Sequence, residues 1–242
     1  KRILNSFSKV NKIVSNSEFT KNLLQKVSPE LKNIEVIYPG VSSFDHIIEE
    51  KVNLIDGSPT LLTLARLEKR KGHKHILQAI SNLKHQYPNI RYIVAGEGEE
   101  KNYLKSITKS LNISNNVIFI GTITDEQKKY IFNKTDLMVM PTIDETHNNS
   151  IEGFGISYIE AALFGIPSIA SNVGGTAEAV IHNKTGIILD NLENLSNVIE
   201  DLIKDQNKRK MLGKNAKYRA QSELDWKHQI ETYISIINNF NH

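Results

Sequence analysis

The sequence predicts an α/β fold built on a doubly wound parallel sheet with helices on both faces. Three observations predict it. Short, β-branched apolar runs without polar alternation recur along the 242 residues, as expected of strands buried on both faces. Amphipathic stretches of helical length lie between them. Glycine-bearing turns follow the runs, at the strand ends where open α/β sheets gather their ligands. The arrangement is Rossmann-like.

Residues 11–26 read as a strand at 12–15, a turn and a helix. Ser15 and Glu18 have capping-box spacing, with Ser17 competing for the cap. A strand at 36–38 precedes Pro39-Gly40, which breaks the chain. This opening unit reads equally as the end of a preceding domain or as the first βα unit of the sheet. A strand at 61–64 leads to a helix at 73–86, where Ile76, Leu77, Ile80, Leu83 and Lys84 fall at helical spacing. The pairs 92–95 with 102–111 and 117–120 with 125–133 repeat the pattern. Strands at 137–140, 168–170 and 186–189 complete the sheet. A helix that begins near Gly155 closes at Gly165-Ile166-Pro167, with glycine in the C-terminal cap position. Residues 192–220 read as two helices. The last helix, 226–239, carries Trp226, Ile230, Tyr233, Ile234 and Ile237 as an apolar stripe that needs a surface to pack on.

Composition narrows the function. Hydrophobic residues make up 39% of the chain, enough for a sizeable core, and there is no cysteine. That excludes a disulfide scaffold, an Fe–S site and thiol catalysis, and it fits a reducing cytosol. The net charge of +3 is too mild to argue for nucleic acid. No apolar run approaches the roughly 20 residues of a membrane span. Lys1-Arg2-Ile3-Leu4-Asn5 is basic but lacks the apolar core of a secretory signal.

The loops after the strands hold the candidate site. Glu152 and Glu160 flank Gly153-Phe154-Gly155-Ile156 with seven residues between them. Glu160 sits in an otherwise apolar helical stretch, where a carboxylate is expensive unless paired or hydrogen-bonded. A helix starting near Gly155 aims its unpaired N–H groups at an anion. Two carboxylates beside a bare helix N-terminus suit a hydroxyl-rich, phosphate-bearing ligand. The alternative for Glu160 is pairing with a core cation. Arg66 stands at the end of the 61–64 strand and Lys71 precedes Gly72. Arginine offers a planar fork to phosphate and lysine a point charge, so together they can hold a diphosphate. The alternative is a solvated basic turn. Gly96-Glu97-Gly98 lacks the third glycine of a dinucleotide fingerprint, and a tight turn explains it as well. Gly121 opens another loop of close approach. Gly174-Gly175 before Glu178 is a second candidate helix-N-terminal anion site.

Other chemistries find no support. No Asp-x-Asp clamp, Walker A loop or Gly-x-Ser-x-Gly elbow occurs. His73, His75 and His147 lack zinc-site spacing. Asp144, Glu145 and His147 read as a solvated loop.

Taken in order, Val36-Ile37-Tyr38-Pro39-Gly40-Val41, Ala65-Arg66-Leu67 with Lys71-Gly72, Gly96-Glu97-Gly98, Phe119-Ile120-Gly121, Glu152 through Glu160-Ala161, Gly174-Gly175 with Glu178, and Thr185-Gly186 form a series. It resembles the donor-binding, C-terminal half of the retaining GT-B glycosyltransferases of glycosyltransferase family four. The series covers nearly all of residues 36–190. Ala65 departs from the family's usual glycine, which tightens the loop but leaves its charges in place.

The resemblance implies a glycosyltransferase of hexosyltransferase type. It implies that Arg66 and Lys71 hold the donor diphosphate, Glu152 the donor sugar and Glu160 the ribose. Phe154, Gly155 and Ile156 would face sugar and phosphates, with Gly96 and Gly121 also on the donor. Transfer would be retaining and independent of metal or other cofactor. The acceptor would be a glycan or a lipid-linked molecule held by an N-terminal domain outside this sequence, and nucleic acid is not an expected partner. Residues 1–40 would then close that acceptor domain and its linker, 41–222 would bind the nucleotide sugar, and 223–242 would cross back. Such a chain alone would transfer no sugar. It would be cytoplasmic, and peripheral at the inner face of a membrane where the acceptor is a lipid. Two alternatives stand beside this one: a non-catalytic nucleotide-binding module or donor subunit, and an NAD-dependent oxidoreductase, against which the incomplete Gly96/Gly98 turn argues. A nucleic-acid binder has only the basic turn at 66–74 behind it.

Overall fold

The computed structural model describes residues 10–238; the basic N-terminal stretch and Asn239 lie outside them. Strands β1 (Ile13–Ser15) and β2 (Ile34–Val36) flank helix α1 (Glu18–Val27) and form a parallel two-stranded sheet of their own. The opening unit therefore does not join the main sheet. Strand β2 lies earlier than the 36–38 expected. Ile37 still donates to the Ser15 carbonyl at 2.9 Å, but Pro39 has no N–H with which to extend the ladder. Ser17, not Ser15, caps α1 by accepting from the Thr20 N–H at 3.0 Å. Ser15 stays in β1 and donates its hydroxyl to the Ser17 carbonyl.

The main sheet holds six parallel strands: β3 (Thr60–Leu64), β4 (Arg91–Ala95), β5 (Val117–Gly121), β6 (Leu137–Met140), β7 (Ser168–Ser171) and β8 (Gly186–Leu189). Their order is β5-β4-β3-β6-β7-β8. The unalternated runs have a direct cause. Leu61, Tyr92, Val94, Leu137 and Val139 enter the core on one face, while Leu62, Ile93, Met138 and Met140 enter the core on the other. Successive residues feed opposite, equally apolar layers.

Helices α2 (His73–Leu83), α3 (Lys101–Ser110) and α4 (Asp125–Asn133) connect β3 to β6. Then come α5 (Ile156–Leu163), a short α6 (Thr176–Ala179), α7 (Leu195–Lys204), α8 (Gln206–Ser222) and α9 (Trp226–Asn238). Helix α2 stops three residues short of the span expected, as the chain turns towards Pro88. In α9 Gln229 and Ile236 are buried, whereas Trp226, Ile230, Tyr233, Ile234 and Ile237 of the expected stripe are all exposed. Among the described residues, no helix is long and apolar enough to cross a membrane.

The chain runs outward from β3 to β5 and then returns to place β6 beside β3. The connections after β3 and β6 therefore leave the sheet in opposite directions. That reversal opens a crevice at the C-terminal ends of the two strands.

One crossing fixes the helix beyond this crevice. Helix α8 lies against the end of α5 through Ala162, Ala216 and Ala220. A Cβ on Gly213 would stand 1.9 Å from the Gly165 carbonyl oxygen. Alanine in mid-helix ordinarily stabilises by about 0.5–1 kcal/mol over glycine. Here we expect the opposite: Gly213→Ala destabilises by about 1–3 kcal/mol through overpacking, measured by urea denaturation.

Candidate functional site

The loop after β3 is pressed onto the loop after β6. Gly72 takes a left-handed φ of 71°, and a Cβ there would stand 2.1 Å from the Pro141 carbonyl oxygen. The Ile143 N–H donates to the Arg70 carbonyl at 2.8 Å. This contact turns the Lys69–Lys71 3-10 turn inward, and Arg70 and Lys71 are both buried.

Both cations meet Glu152. Arg70 Nη1 lies 2.6 Å and Lys71 Nζ 2.5 Å from the same oxygen, Glu152 Oε2. Arg70 Nε donates to Ser150 Oγ at 2.9 Å, and Nη2 lies 3.4 Å from Glu68 Oε2. Burial pushes the Lys71 ammonium below its ordinary pKa, outweighing the attraction of Glu152. Arg66 is different: its side chain is 73% exposed and lies 2.7 Å from Glu68 Oε1. It stands at the rim.

The loop carrying Glu152 is held by backbone contact. The Gly175 N–H donates to the Glu152 carbonyl at 2.9 Å. Cβ atoms on Gly174 and Gly175 would stand 2.2 Å from the Glu152 oxygen and 2.0 Å from that of Gly153. The expected second anion site at Gly174-Gly175 is thereby corrected. These glycines pack beneath the first site, and α6 behind them spans only Thr176–Ala179. Phe154 is buried and stacks on Tyr38 with ring centroids 5.2 Å apart. Gly155, at φ 100°, caps α5.

An open cleft of about 330 Å³ results, lined by Arg66, Lys71, Glu152, Phe154, Gly155 and Ile156, with Asn16 at its edge. Ile156 also lines an adjoining cleft of about 480 Å³ that contains Glu160. There Glu160 Oε1 accepts from Lys128 Nζ at 2.7 Å, so Glu160 is cation-paired and cleft-facing at once. Burial works against the Lys128 ammonium, but Glu160 and Asp125 outweigh it and hold its pKa above the ordinary value. A larger concavity, about 620 Å³, borders Phe44 and Trp226 and contains neither Glu152 nor Glu160.

Gly96 and Gly121 line neither of the two clefts that hold Glu152 and Glu160. The Gly96 N–H donates to the Gly121 carbonyl at 2.7 Å. A Cβ on Gly96 would stand 2.0 Å from the Ala65 oxygen. The pair lets neighbouring loops touch. In the 144–147 loop, Glu145 pairs with Lys69 at 2.8 Å. Among the described residues, no group of His, Asp and Glu side chains is arranged to hold a metal ion.

The contacts of four residues escape a reading of the sequence. Arg70 is hidden in a basic run where only burial distinguishes it. Lys128 lies 32 positions before its partner Glu160. Glu178 accepts from the Glu18 and Phe19 N–H groups at 2.7 and 2.8 Å, capping α1 from the far side of the cleft. His73 lies under the Arg66 loop in a buried chain of contacts. Thr63 donates to the Val139 carbonyl, and Tyr92 Oη lies 2.9 Å from Thr63 Oγ1. His73 Nδ1 lies 3.0 Å from Tyr92 Oη, and Nε2 lies 3.5 Å from the Arg66 carbonyl. With the Thr63 proton on Val139, Tyr92 donates to Thr63 and His73 Nδ1–H to Tyr92. A neutral ring then has no proton for Arg66.

The family model described as "Glycosyl transferases group 1" matches residues 45–219. A GDP-mannose-dependent alpha-(1-6)-phosphatidylinositol monomannoside mannosyltransferase of Mycobacterium tuberculosis is 25% identical over 170 residues, 69% of this chain and 44% of that protein. The sucrose-phosphate synthase of Thermosynechococcus elongatus superposes with a TM-score of 0.80 at 22% identity, over 96% of this chain and 58% of that one. Anabaena Alr3699/HepE in complex with UDP and glucose gives a TM-score of 0.78 at 21% identity, over 95% and 63%. At these identities the two superpositions speak to fold alone. The chain spans about half the length of the curated relatives it matches.

The buried His73 makes stability depend on pH. Burial lowers its pKa from the ordinary 6.5 to about 4. Between those values the unfolded chain binds the extra proton, so this contribution is present above pH 6.5 and lost as pH falls towards 4. A shift of that size corresponds to about 3 kcal/mol. Urea denaturation from about pH 7 to about pH 4 should show His73→Asn losing less stability than the unsubstituted chain by that order.

Proposed function

The chain belongs to the glycosyl transferases group 1, and from that membership we propose that it is the donor-binding half of a two-domain GT-B enzyme. In this reading a sugar leaves a nucleoside diphosphate with retention and without a metal ion. One observation carries the reading: the cleft at the reversal of strand order, where Arg66, Lys71 and Glu152 face the start of α5. A diphosphate seated there meets two cations on one side and helix N–H groups on the other. Those groups stabilise the charge that grows on the leaving phosphate as the bond to the anomeric carbon breaks. The acceptor approaches on the face of the leaving group.

Glu152 is a holding group in this scheme. One of its oxygens is bound to two cations, and the carboxylate orients sugar hydroxyls rather than attacking carbon. Glu160, past Ile156 in the adjoining cleft, accepts from the ribose. The acceptor, a glycan or a lipid-linked molecule, binds to a domain outside this chain. The mycobacterial relative is GDP-mannose-dependent and the Anabaena structure holds UDP, so both bases belong in the test.

Calorimetric titration with UDP, GDP and ADP should find at least one that binds, with affinity unchanged by EDTA. Arg66→Ala should weaken that ligand about tenfold, the scale of one charge-assisted hydrogen bond, with the melting temperature unchanged. Glu160→Gln should weaken the nucleoside diphosphate but leave inorganic pyrophosphate alone. If none of the three nucleotides binds the folded chain, the donor-site assignment is lost.

A further inference from the structure

We propose that Arg70 is a positioning residue which keeps Glu152 and Glu68 in place while Lys71 and Arg66 turn from them to the diphosphate. This rests on the donor-cleft reading above. Five charged groups form an alternating chain, Arg66–Glu68–Arg70–Glu152–Lys71, with successive separations of 2.7, 3.4, 2.6 and 2.5 Å. Its two ends are cations and both line the cleft. Its centre, Arg70, touches both acids.

The two kinds of cation differ in freedom. The Arg70 side chain is 7% exposed, bonded through Nε to Ser150 and through Nη1 to Glu152, and its carbonyl is held by the Ile143 N–H. The side chain cannot turn away without breaking both of its bonds, to Ser150 and to Glu152, and the carbonyl contact fixes the backbone from which it extends. Among the described residues, Lys71 Nζ has Glu152 as its single hydrogen-bond partner, at the end of a flexible stem. Arg66 is largely exposed.

A buried carboxylate stripped of its last cation is strongly disfavoured. Glu152, 11% exposed, would therefore tie Lys71 to itself if Lys71 were its sole partner. Arg70 removes that constraint, because Lys71 leaves a carboxylate that is still paired. Glu68 is more exposed, at 24%, and lies 3.4 Å from Arg70, so the corresponding effect on Arg66 is small. Three cations against two acids leave one positive charge in excess, and the chain delivers it to the cleft from either end.

A double-mutant cycle tests this, with inorganic pyrophosphate and whichever of UDP and GDP binds as probes. Arg70→Met should weaken pyrophosphate about tenfold in the 242-residue chain, and Arg70→Lys should restore most of the loss. In a Lys71→Met background, Arg70→Met should cost about twofold or less. Additive losses would mean that Arg70 acts independently of Lys71, and would overturn the proposal. Should Arg70→Met not fold, 15N NMR of the unsubstituted chain decides. On adding pyrophosphate the Lys71 Nζ resonance should move while Arg70 Nε keeps its shift and its slow exchange. An Arg70 Nε signal that moves as far as Lys71 overturns the proposal. If no probe binds the unsubstituted chain, the donor-cleft reading itself fails; if probes bind and Arg70→Met is silent, only the role of Arg70 does.

Discussion

The contact between Glu152 and its two cations organises the site. Strands β3 and β6 lie side by side but send their chains in opposite directions, and beyond the Ile143–Arg70 backbone bond it is this ion cluster that joins the loops at their ends. Arg70 and Lys71 come from one connection and Glu152 from the other. Breaking such a buried pair by removing one partner costs about 3–5 kcal/mol, so the loops are fastened where they would otherwise splay. The backbone contact of Gly72 with Pro141 sets the distance at which the fastening works. Its electrostatic character has a second effect. A cleft held together by charge is already dressed with the groups that an anionic ligand needs.

The same economy appears on the far wall. Gly174 and Gly175 let the chain after β7 lie directly on the Glu152–Gly153 backbone. That places the Glu178 carboxylate over the first N–H groups of α1. The small opening unit is thus tied to the cleft by hydrogen bonds to a charged group, and Asn16 reaches the cleft edge as a result.

Much of this is legible in the sequence, and the remainder is not for physical reasons. The main strands stand out because most of them are buried on both faces and carry mainly apolar residues without alternation. Arg66, Lys71 and Glu152 stand out because strand ends are where this fold gathers ligands. Arg70 does not, since three consecutive basic residues say nothing about which of them points inward. The single turn of 3-10 helix and the left-handed Gly72 decide that, and both depend on a carbonyl some seventy residues later. Glu160 is half legible: the need for a partner comes from its apolar helix, but Lys128 is brought to it only by the packing of α4 on α5. The glycines at 96, 121, 174 and 175 are legible as places of close approach. What approaches, backbone or ligand, is settled by tertiary structure alone.

Where the chain passes Val41 it meets itself again. Val41 bridges Asp225, and the Trp226 N–H donates to the Val41 carbonyl at 3.2 Å. The six-stranded sheet and most of the lining of both clefts lie between these points and hang from two adjacent backbone segments like a drawer from its runner. A body with its entrance and exit side by side can be exchanged as a cassette without rethreading the rest of a protein. In this chain the two ends of the six-stranded sheet are pinned together at one place, at Gly40 beneath the Trp226 ring.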